Sequence, residues 1–231
     1  MRVLDEQYLQ CPFYGRAKHT EVLRNKGYNV NHKRVWRLMK QLGITARTPG
    51  PHTSRGNWQH EKYPYLLKGI NINRINQVWA TDITWIPTFE GSLYLVAVLD
   101  LFSRFIISWK LSSSMEVNFC LEALKDALKV GKPEIFNSDQ GSQFTAYAFT
   151  NMLKENRIQI SMDGKGRYAD NIFVERFWRS LKYEEVYPKE YESGQEAYNG
   201  ICSYIDYYNE ERIHQALAYS TPAAVYYRKV I

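Results

Sequence analysis

A chain of 231 residues with 45% apolar and 23% charged content can bury one substantial core and a smaller appendage, as a globular protein does. No apolar run approaches the roughly 18–20 residues of a membrane span, and Asp5 and Glu6 stand where a secretory signal would be apolar, so a cytoplasmic location without membrane association is expected. Cys11, Cys120 and Cys202 lie far apart and never in C-x-x-C spacing, which argues against a disulfide framework and a Cys-rich zinc site; all three are expected to be reduced, with Cys120 and Cys202 in the core. The net charge of +6 is unevenly placed: residues 1–75 hold 14 Lys+Arg against 4 Asp+Glu, and residues 76–231 hold 16 against 20. A concentrated basic segment is the usual footprint of a polyanion partner, because neutralising phosphates releases counterions.

In chain order, residues 15–43 predict two helices around a turn: one from Arg16 to Arg24, then "NKGYNVN", then "HKRVWRLMKQLG" with Asn31 as cap and Gly43 as stop. Val35, Leu38, Met39 and Leu42 form an apolar stripe on the second helix, leaving Lys33, Arg34, Arg37 and Lys40 for its other faces. This is the pattern of a helix-turn-helix (HTH) with a basic second helix, whose four cations are candidate DNA contacts. The blander alternative is a basic amphipathic helix that keeps a domain soluble. Residues 44–76, rich in Pro, Gly, Ser, Thr and Asn and interleaved with Arg47, Arg55, Lys62 and Lys68, read as a linker able to track a nucleic-acid backbone.

From Gln77 the pattern changes. "QVWATDITWIP", "SLYLVAVLDLF" and "RFIISWKL", joined by short turns at Phe89–Gly91 and Ser103-Arg104, predict an antiparallel three-strand meander. "MEVNFCLEALKDALKV" carries Val117, Leu121, Leu124 and Leu128 at helical spacing, with Ser114 as cap and Gly131 as stop. A short strand, Glu134 to Asn137, then delivers Asp139, followed by a helix near Thr145–Glu155 and a strand near Ile158–Ser161. Three strands, helix, strand, helix, strand, helix is the order of a ribonuclease-H-like α/β domain: a mixed five-stranded sheet flanked by helices, here preceded by a small helical HTH-like DNA-binding segment.

Asp82 falls in mid-strand on the face of Val78, Ala80, Thr84 and Ile86, with Trp79, Ile83 and Trp85 opposite. A carboxylate in a strand apolar on both sides is costly unless something binds it. Asp139 lies just past the end of a strand expected next to the first, and the sequence turns steeply at Gln140-Gly141. On the helix predicted for "DNIFVERFWRSLKYEE", Asn171, Glu175, Arg179 and Lys182 share one face, while Ile172, Phe173, Phe177 and Leu181 pack away from it. Three converging carboxylates raise one another's pKa values unless a cation intervenes. An all-oxygen site suits Mg²⁺ or Mn²⁺, and two such ions about 4 Å apart could serve an in-line phosphoryl transfer. Arg179 and Lys182 suit phosphate contacts near the reacting bond.

The segments "WATDIT", "YLVAVLDLFSR", "NSDQGSQF", "DNIFVERFWRSLKYE" and "YNEERIHQALAYSTP" closely resemble the IS-three family of insertion-sequence transposases, the OrfB product with its retroviral-integrase-like core. The resemblance covers roughly residues 8–228 and implies a D, D(35)E triad of Asp82, Asp139 and Glu175, with 35 residues between the last two and Lys182 as a DNA-contacting cation. It further implies Mg²⁺ as cofactor, cleavage and strand transfer at the terminal inverted repeats of a mobile element, target DNA as second substrate, and assembly of protomers on paired ends near the bacterial nucleoid. Three departures stand out. Asn137 replaces the family's His, "YGRAKHTEVL" is poor in arginine, and the chain starts close to the HTH-like segment, so an upstream-frame HTH protein is an expected partner. The boundaries that follow are 1–48 for the HTH-like segment, 49–75 for a basic linker, 76–190 for the catalytic core and 191–231 for a C-terminal helical extension.

Several residues carry blander readings. Asp100 is expected to cap its turn with Ser103 and Arg104 rather than act as a fourth acid, and Asp170 to cap the Glu175 helix. Zinc at Cys11, His19 and His32 lacks the second, closely spaced cysteine it needs. Tyr208, Asn209, Arg212 and His214 either lock a C-terminal helix to its loop or touch DNA. Two other functions compete: a catalytically silent DNA-binding regulator, disfavoured by the intact acids, and a ribonuclease-H-type nuclease on RNA–DNA hybrids, disfavoured by the basic N-terminal third.

Overall fold

The computed structural model describes residues 1–12, 14–46, 61–164 and 172–228. The chain divides into two compact units, Met1–Arg55 and Gly56–Ile231. In the first, α1 (Arg2–Gln10), α2 (Arg16–Asn25) and α3 (His32–Gln41) enclose a small core of Leu4, Leu23, Val35, Met39 and Ile44. Asn31 caps α3, its Oδ1 accepting from the Arg34 N–H at 2.9 Å, and the predicted stripe turns inward, with Val35 and Met39 fully covered. Helix α1 was not foreseen; "RVLDEQYLQ" has only a weak apolar repeat, and burial of Leu4 against the other helices holds it.

The second unit carries β1 (Val78–Thr88), β2 (Gly91–Asp100), β3 (Ile106–Ser112), α4 (Val117–Val130), β4 (Ile135–Ser138), α5 (Tyr147–Glu155) and β5 (Gln159–Met162), then α6 (Ile172–Leu181). A π-helical turn (Lys182–Val186), a short α7 (Tyr187–Lys189), α8 (Gly194–Glu210) and α9 (Pro222–Tyr226) follow. The sheet has the order β3-β2-β1-β4-β5. Its first three strands are antiparallel neighbours, and β1, β4 and β5 run parallel.

Side-chain alternation sorts each strand between two layers. Val78, Ala80, Ile86, Leu95, Ala97 and Leu99 meet α6 and α8 on one face. Trp79, Val96, Val98 and Phe136 meet α4 and α5 on the other. Asn209 on α8 clamps β3 by exchanging hydrogen bonds with the Ile106 backbone, accepting from its N–H at 2.9 Å and donating to its C=O at 3.0 Å.

Several expectations need correction. The part of the expected linker that is described belongs to the core: Leu67 is buried, and Tyr63, Tyr65, Leu66, Ile70 and Ile72 pack on the sheet layers. The alternation of apolar residues with Pro, Gly and Asn concealed this. Ser114 does not cap α4; the helix begins after Glu116 without a side-chain cap, and the Ser114 N–H donates instead to Ser112 Oγ. Ile172 is exposed, whereas Val174 in the same turn of α6 is fully buried and takes the core contact. Cys202 is only half-buried on α8, whereas Cys120 is buried as expected. Asp170 and Asn171 lie outside the described residues.

Helix α8 approaches the π-helical turn so closely that a Cβ on Gly200 would fall 2.6 Å from both Glu185 Oε1 and the Tyr191 hydroxyl, which hydrogen-bond to each other at 2.9 Å. Gly200→Ala is therefore expected to destabilise the fold by about 1–3 kcal/mol despite the higher helix propensity of alanine. Urea denaturation should show a lower midpoint with an unchanged slope; an equal or higher midpoint would mean that the helices move apart freely.

Candidate active site

The parallel register of β1 with β4 pairs Val78 with Ile135, Trp79 with Phe136 and Ala80 with Asn137. Continued two residues further, it sets Asp139 abreast of Asp82, on chains that run about 4.8 Å apart. Asp82 points to the α6 side of the sheet, where Trp178 Nε1 donates to its Oδ2 at 3.0 Å. Trp178 lies three residues beyond Glu175, close to the same side of α6. The charges of Asp139 and Glu175 both act on Asp82.

The electrostatics reflect that convergence. Burial pushes the half-buried Asp82 carboxyl up to about 6, against hydrogen bonds from the Ile83 backbone and Trp178, and the two neighbouring acids add to the rise. Asp139 reaches solvent from a crowded recess; burial raises its pKa while the Gly141 N–H, donating to its Oδ1 at 2.9 Å, opposes the rise. Its Oδ2 accepts no hydrogen bond from a described residue. Burial lowers the Lys182 ammonium, and the charge of Asp82 holds it up. Lys182 thus supplies positive charge beside the acids, whereas Arg179 is exposed and reaches over the Tyr183 ring, 5.9 Å from its centroid.

Gly141 is required by contact. A Cβ there would lie 2.8 Å from Asp139 Oδ1, so a larger residue would push the Asp139 carboxylate from its present place. Asn137 is fully buried, accepting from Ser161 Oγ at 2.7 Å and donating to Asp163 Oδ1 at 2.8 Å. It anchors β4 to β5 behind the acids. Asp100 is buried in its turn, as expected: Oδ1 accepts from the N–H and hydroxyl of Ser103 and Oδ2 from the Asn76 N–H. Burial pushes the Cys120 thiol up to about 12, with the charge of Asp139 adding to it, so it stays protonated.

Among the described residues no group of three or more His, Cys, Asp or Glu side chains is drawn together tightly enough to cage a metal as it stands. The donor set nevertheless fits a hard divalent cation, being oxygen only and short of positive charge.

In the first unit, Lys33, Arg34, Arg37 and Lys40 are all exposed on α3. The first three line a shallow basic depression with Arg16 and the exposed Trp36, and Lys40 lies over the Trp36 ring, 4.9 Å from its centroid. Trp36 was not singled out by sequence reasoning, although its aromatic ring among cations was the available signal.

Residues 73–167 and 156–222 match integrase core domain models, and residues 1–52 match an HTH-like domain. The transposase for insertion sequence element IS904 of Lactococcus lactis is 36% identical over 225 residues, covering 90% of this chain and 85% of that protein. Transposase InsF for insertion sequence IS3A of Escherichia coli is 33% identical, covering 87% of this chain and 72% of that protein. The chain belongs to the IS3 family of insertion-sequence transposases. It is a transposase of the polynucleotidyl-transferase type with an integrase catalytic core. Among solved structures, the HTLV-2 integrase catalytic core domain in complex with magnesium superposes with a TM-score of 0.56 at 19% identity, covering 66% of this chain and 97% of the other. A simian T-cell lymphotropic virus intasome superposes with a TM-score of 0.59 at 16% identity, covering 92% and 70%. At these identities the likeness is one of fold, the ribonuclease-H-like sheet that the element order predicts.

Within the transposase, the last sequence signature has a structural part. The Arg212 guanidinium makes two bonds to Glu184, at 2.9 and 2.7 Å, and the His214 ring stands edge-on to Tyr208 at 4.8 Å. His214 also bridges to Ser220 through its backbone, so the loop after α8 is locked in place.

Replacing Gly141 by Ala is expected to lower strand cleavage at least tenfold by displacing Asp139, with little change in Tm; activity within twofold of the parent would show that the turn has slack. The Asp82 shift gives a second expectation. Between the ordinary value of 3.8 and about 6, the folded state binds more protons than the unfolded state, so metal-free stability falls as pH rises through that window. Asp82→Asn removes that loss. At pH 7.5 with chelator it should be more stable than the parent by roughly 1–2 kcal/mol after screening at a half-buried site, and equal to it near pH 3.5. Parallel pH–Tm curves for the two proteins would contradict the shift.

Proposed function

We propose that Asp82, Asp139 and Glu175 hold Mg²⁺, with Mn²⁺ as a substitute, and that the transposase cleaves and joins DNA at the terminal inverted repeats of its insertion sequence. The observation that supports this reading is that the charges of Asp139 and Glu175 both act on the half-buried Asp82 carboxyl. When bound, a divalent cation would supply charge neutralisation and Lewis acidity to the phosphoryl transfer.

The chain's own groups have separable tasks. The Trp178 N–H fixes the Asp82 carboxylate, and the Gly141 N–H fixes that of Asp139, so both acids keep their orientation before substrate arrives. Lys182 and Arg179 meet the DNA backbone beside the reacting phosphate. Lys33, Arg34, Arg37 and Lys40 on α3 hold DNA through the segment 1–48, while the acids belong to the core reading of 76–190 with its extension 191–231. Paired DNA ends call for two or more protomers, in keeping with the dimeric and intasome assemblies named for the fold neighbours. An upstream-frame HTH protein would add recognition of the ends, and the cytoplasm is where such DNA lies. Among the described residues no helix is long and apolar enough to cross a membrane.

The test uses a plasmid carrying the gene's own flanking DNA, with Mg²⁺ or with chelator. Mg²⁺-dependent nicks should map to the element's ends and vanish in Glu175→Gln, Asp82→Asn and Asp139→Asn, each of which still binds DNA. Near-normal nicking by any one of these variants would remove that acid from the triad. Alanine at Lys33, Arg34 or Arg37 should instead weaken binding and lower the slope of log affinity against log salt by about 1 per lost phosphate contact. An unchanged slope would return α3 to a merely solvated surface.

A further inference from the structure

A cleft of about 500 Å³ opens beside α6, on the same unit as the acids, and its lining contains no Asp or Glu. Three arginines from three separate elements converge on it: Arg104 from the β2–β3 turn, Arg176 from α6 and Arg212 from the loop after α8, together with His214. We propose that this cleft is a subsite for a backbone phosphodiester of the DNA strand whose reacting phosphate lies at Asp82, Asp139 and Glu175. The inference rests on the transposase chemistry proposed above and adds to it a contact outside the acids, Arg179 and Lys182.

Two of the arginines are fixed before any ligand arrives. Arg104 has a left-handed backbone (φ 65°), donates from Nη1 to the Leu101 carbonyl, and holds its guanidinium 3.5 Å from the centroid of the Phe173 ring. Burial lowers its pKa, yet an arginine at such a site stays charged. Arg212 is gripped by Glu184 through Nε and Nη2, which leaves Nη1 directed to His214 Nε2 at 3.4 Å. Arg176 differs from both: it is exposed and makes no hydrogen bond or ion pair with a described residue. A free guanidinium facing two preorganised ones is suited to close on a bridging anion, and the planar fork of arginine matches phosphate oxygens.

The position of Arg176 selects a nucleic-acid phosphate. It directly follows Glu175, about 100° round α6 from that acid of the proposed triad, so the cleft flanks the face that carries the acids. A strand that crosses the acids and continues round α6 would bring a neighbouring phosphate to that side chain. The cleft is also larger than one anion needs, and the exposed ring of Tyr219 at its margin offers a stacking face for a base.

The experiment measures binding of the full chain and of Arg176→Gln to a 40-base-pair duplex of flanking DNA in which single phosphates are replaced, one at a time, by neutral methylphosphonates. Arg176→Gln should bind about 5–10-fold more weakly with a salt slope lower by about 1. One methylphosphonate position should weaken the parent comparably and leave Arg176→Gln unaffected, since both changes remove the same contact. Losses that simply add at every position, or binding by Arg176→Gln equal to the parent's, would overturn the subsite. If Mg²⁺-dependent cleavage persists in that case, the transposase reading stands and only the subsite fails. Absence of salt-sensitive DNA binding by the parent would overturn both. A parallel titration with inorganic phosphate separates the other source: millimolar phosphate that binds the parent and not Arg176→Gln, without coupling in the DNA series, would make the cleft a free-anion site and refute the DNA assignment.

Discussion

Asp82 is a carboxylate carried into a half-buried place in a central strand, and much of the second unit bears on that constraint. The register of β1 with β4 makes the encounter of Asp82 and Asp139 unavoidable. Burial keeps the Asp82 carboxyl near about 6, so at neutral pH it is charged at a cost the fold does not fully offset. Helix α6 supplies Glu175 and a neutral hydrogen-bond donor at Trp178, and the π-helical turn that continues it supplies an ammonium at Lys182. The same stretch therefore raises the local negative charge and limits it.

The surroundings make this arrangement rigid. One core layer, Val78, Ala80, Leu95, Ala97 and Leu99 against Val174, Phe177 and Leu181, fixes the height of α6 over the sheet. On the far side of the sheet, Trp79, Val96 and Phe136 pack against α4 and α5. The buried set of Asn137, Ser161 and Asp163 ties β4 to β5, and Leu66 joins it through its N–H to Ser161 Oγ at 3.0 Å. A chain segment that reads as linker thus helps hold the strand end from which Asp139 projects. The end of α8, through Asn209 on Ile106, and the loop after it, through Arg212 on Glu184, contribute in the same way, and the loop shapes the arginine cleft on the flank of α6.

Much of this was legible in the sequence because it depends on periodicity. Strand alternation gave the face of Asp82, helical spacing gave the common side of Glu175 and Lys182, and the apolar stripe of α3 gave its basic outer surface. The turn at Asp100 was legible for a related reason, since Asp, Ser and Arg in a tight connection carry their own hydrogen-bonding logic. What escaped depends on contacts between distant segments. Trp178 reads as one more apolar residue of α6 until Asp82, 96 positions away, is seen to accept its N–H. The steric need for Gly141 appears only when the Asp139 carboxylate is in place. Tyr65, Leu66 and Leu67 lie among Pro and Gly residues and show no period, so their burial had no local signal. The convergence of Arg104, Arg176 and Arg212 is likewise invisible to spacing, because three elements supply one arginine each.

In the proposed metal site, a divalent cation would relieve the cost of holding Asp82 charged in its half-buried place. Carbon-13 NMR of the aspartate carboxyls in the metal-free protein, repeated with saturating Mg²⁺, measures this directly. Asp82 should titrate at about 6 without metal and fall below roughly 4 when Mg²⁺ is present, because the cation favours the charged form. An Asp82 that titrates at its ordinary value without metal, or whose raised value ignores Mg²⁺, would contradict the account.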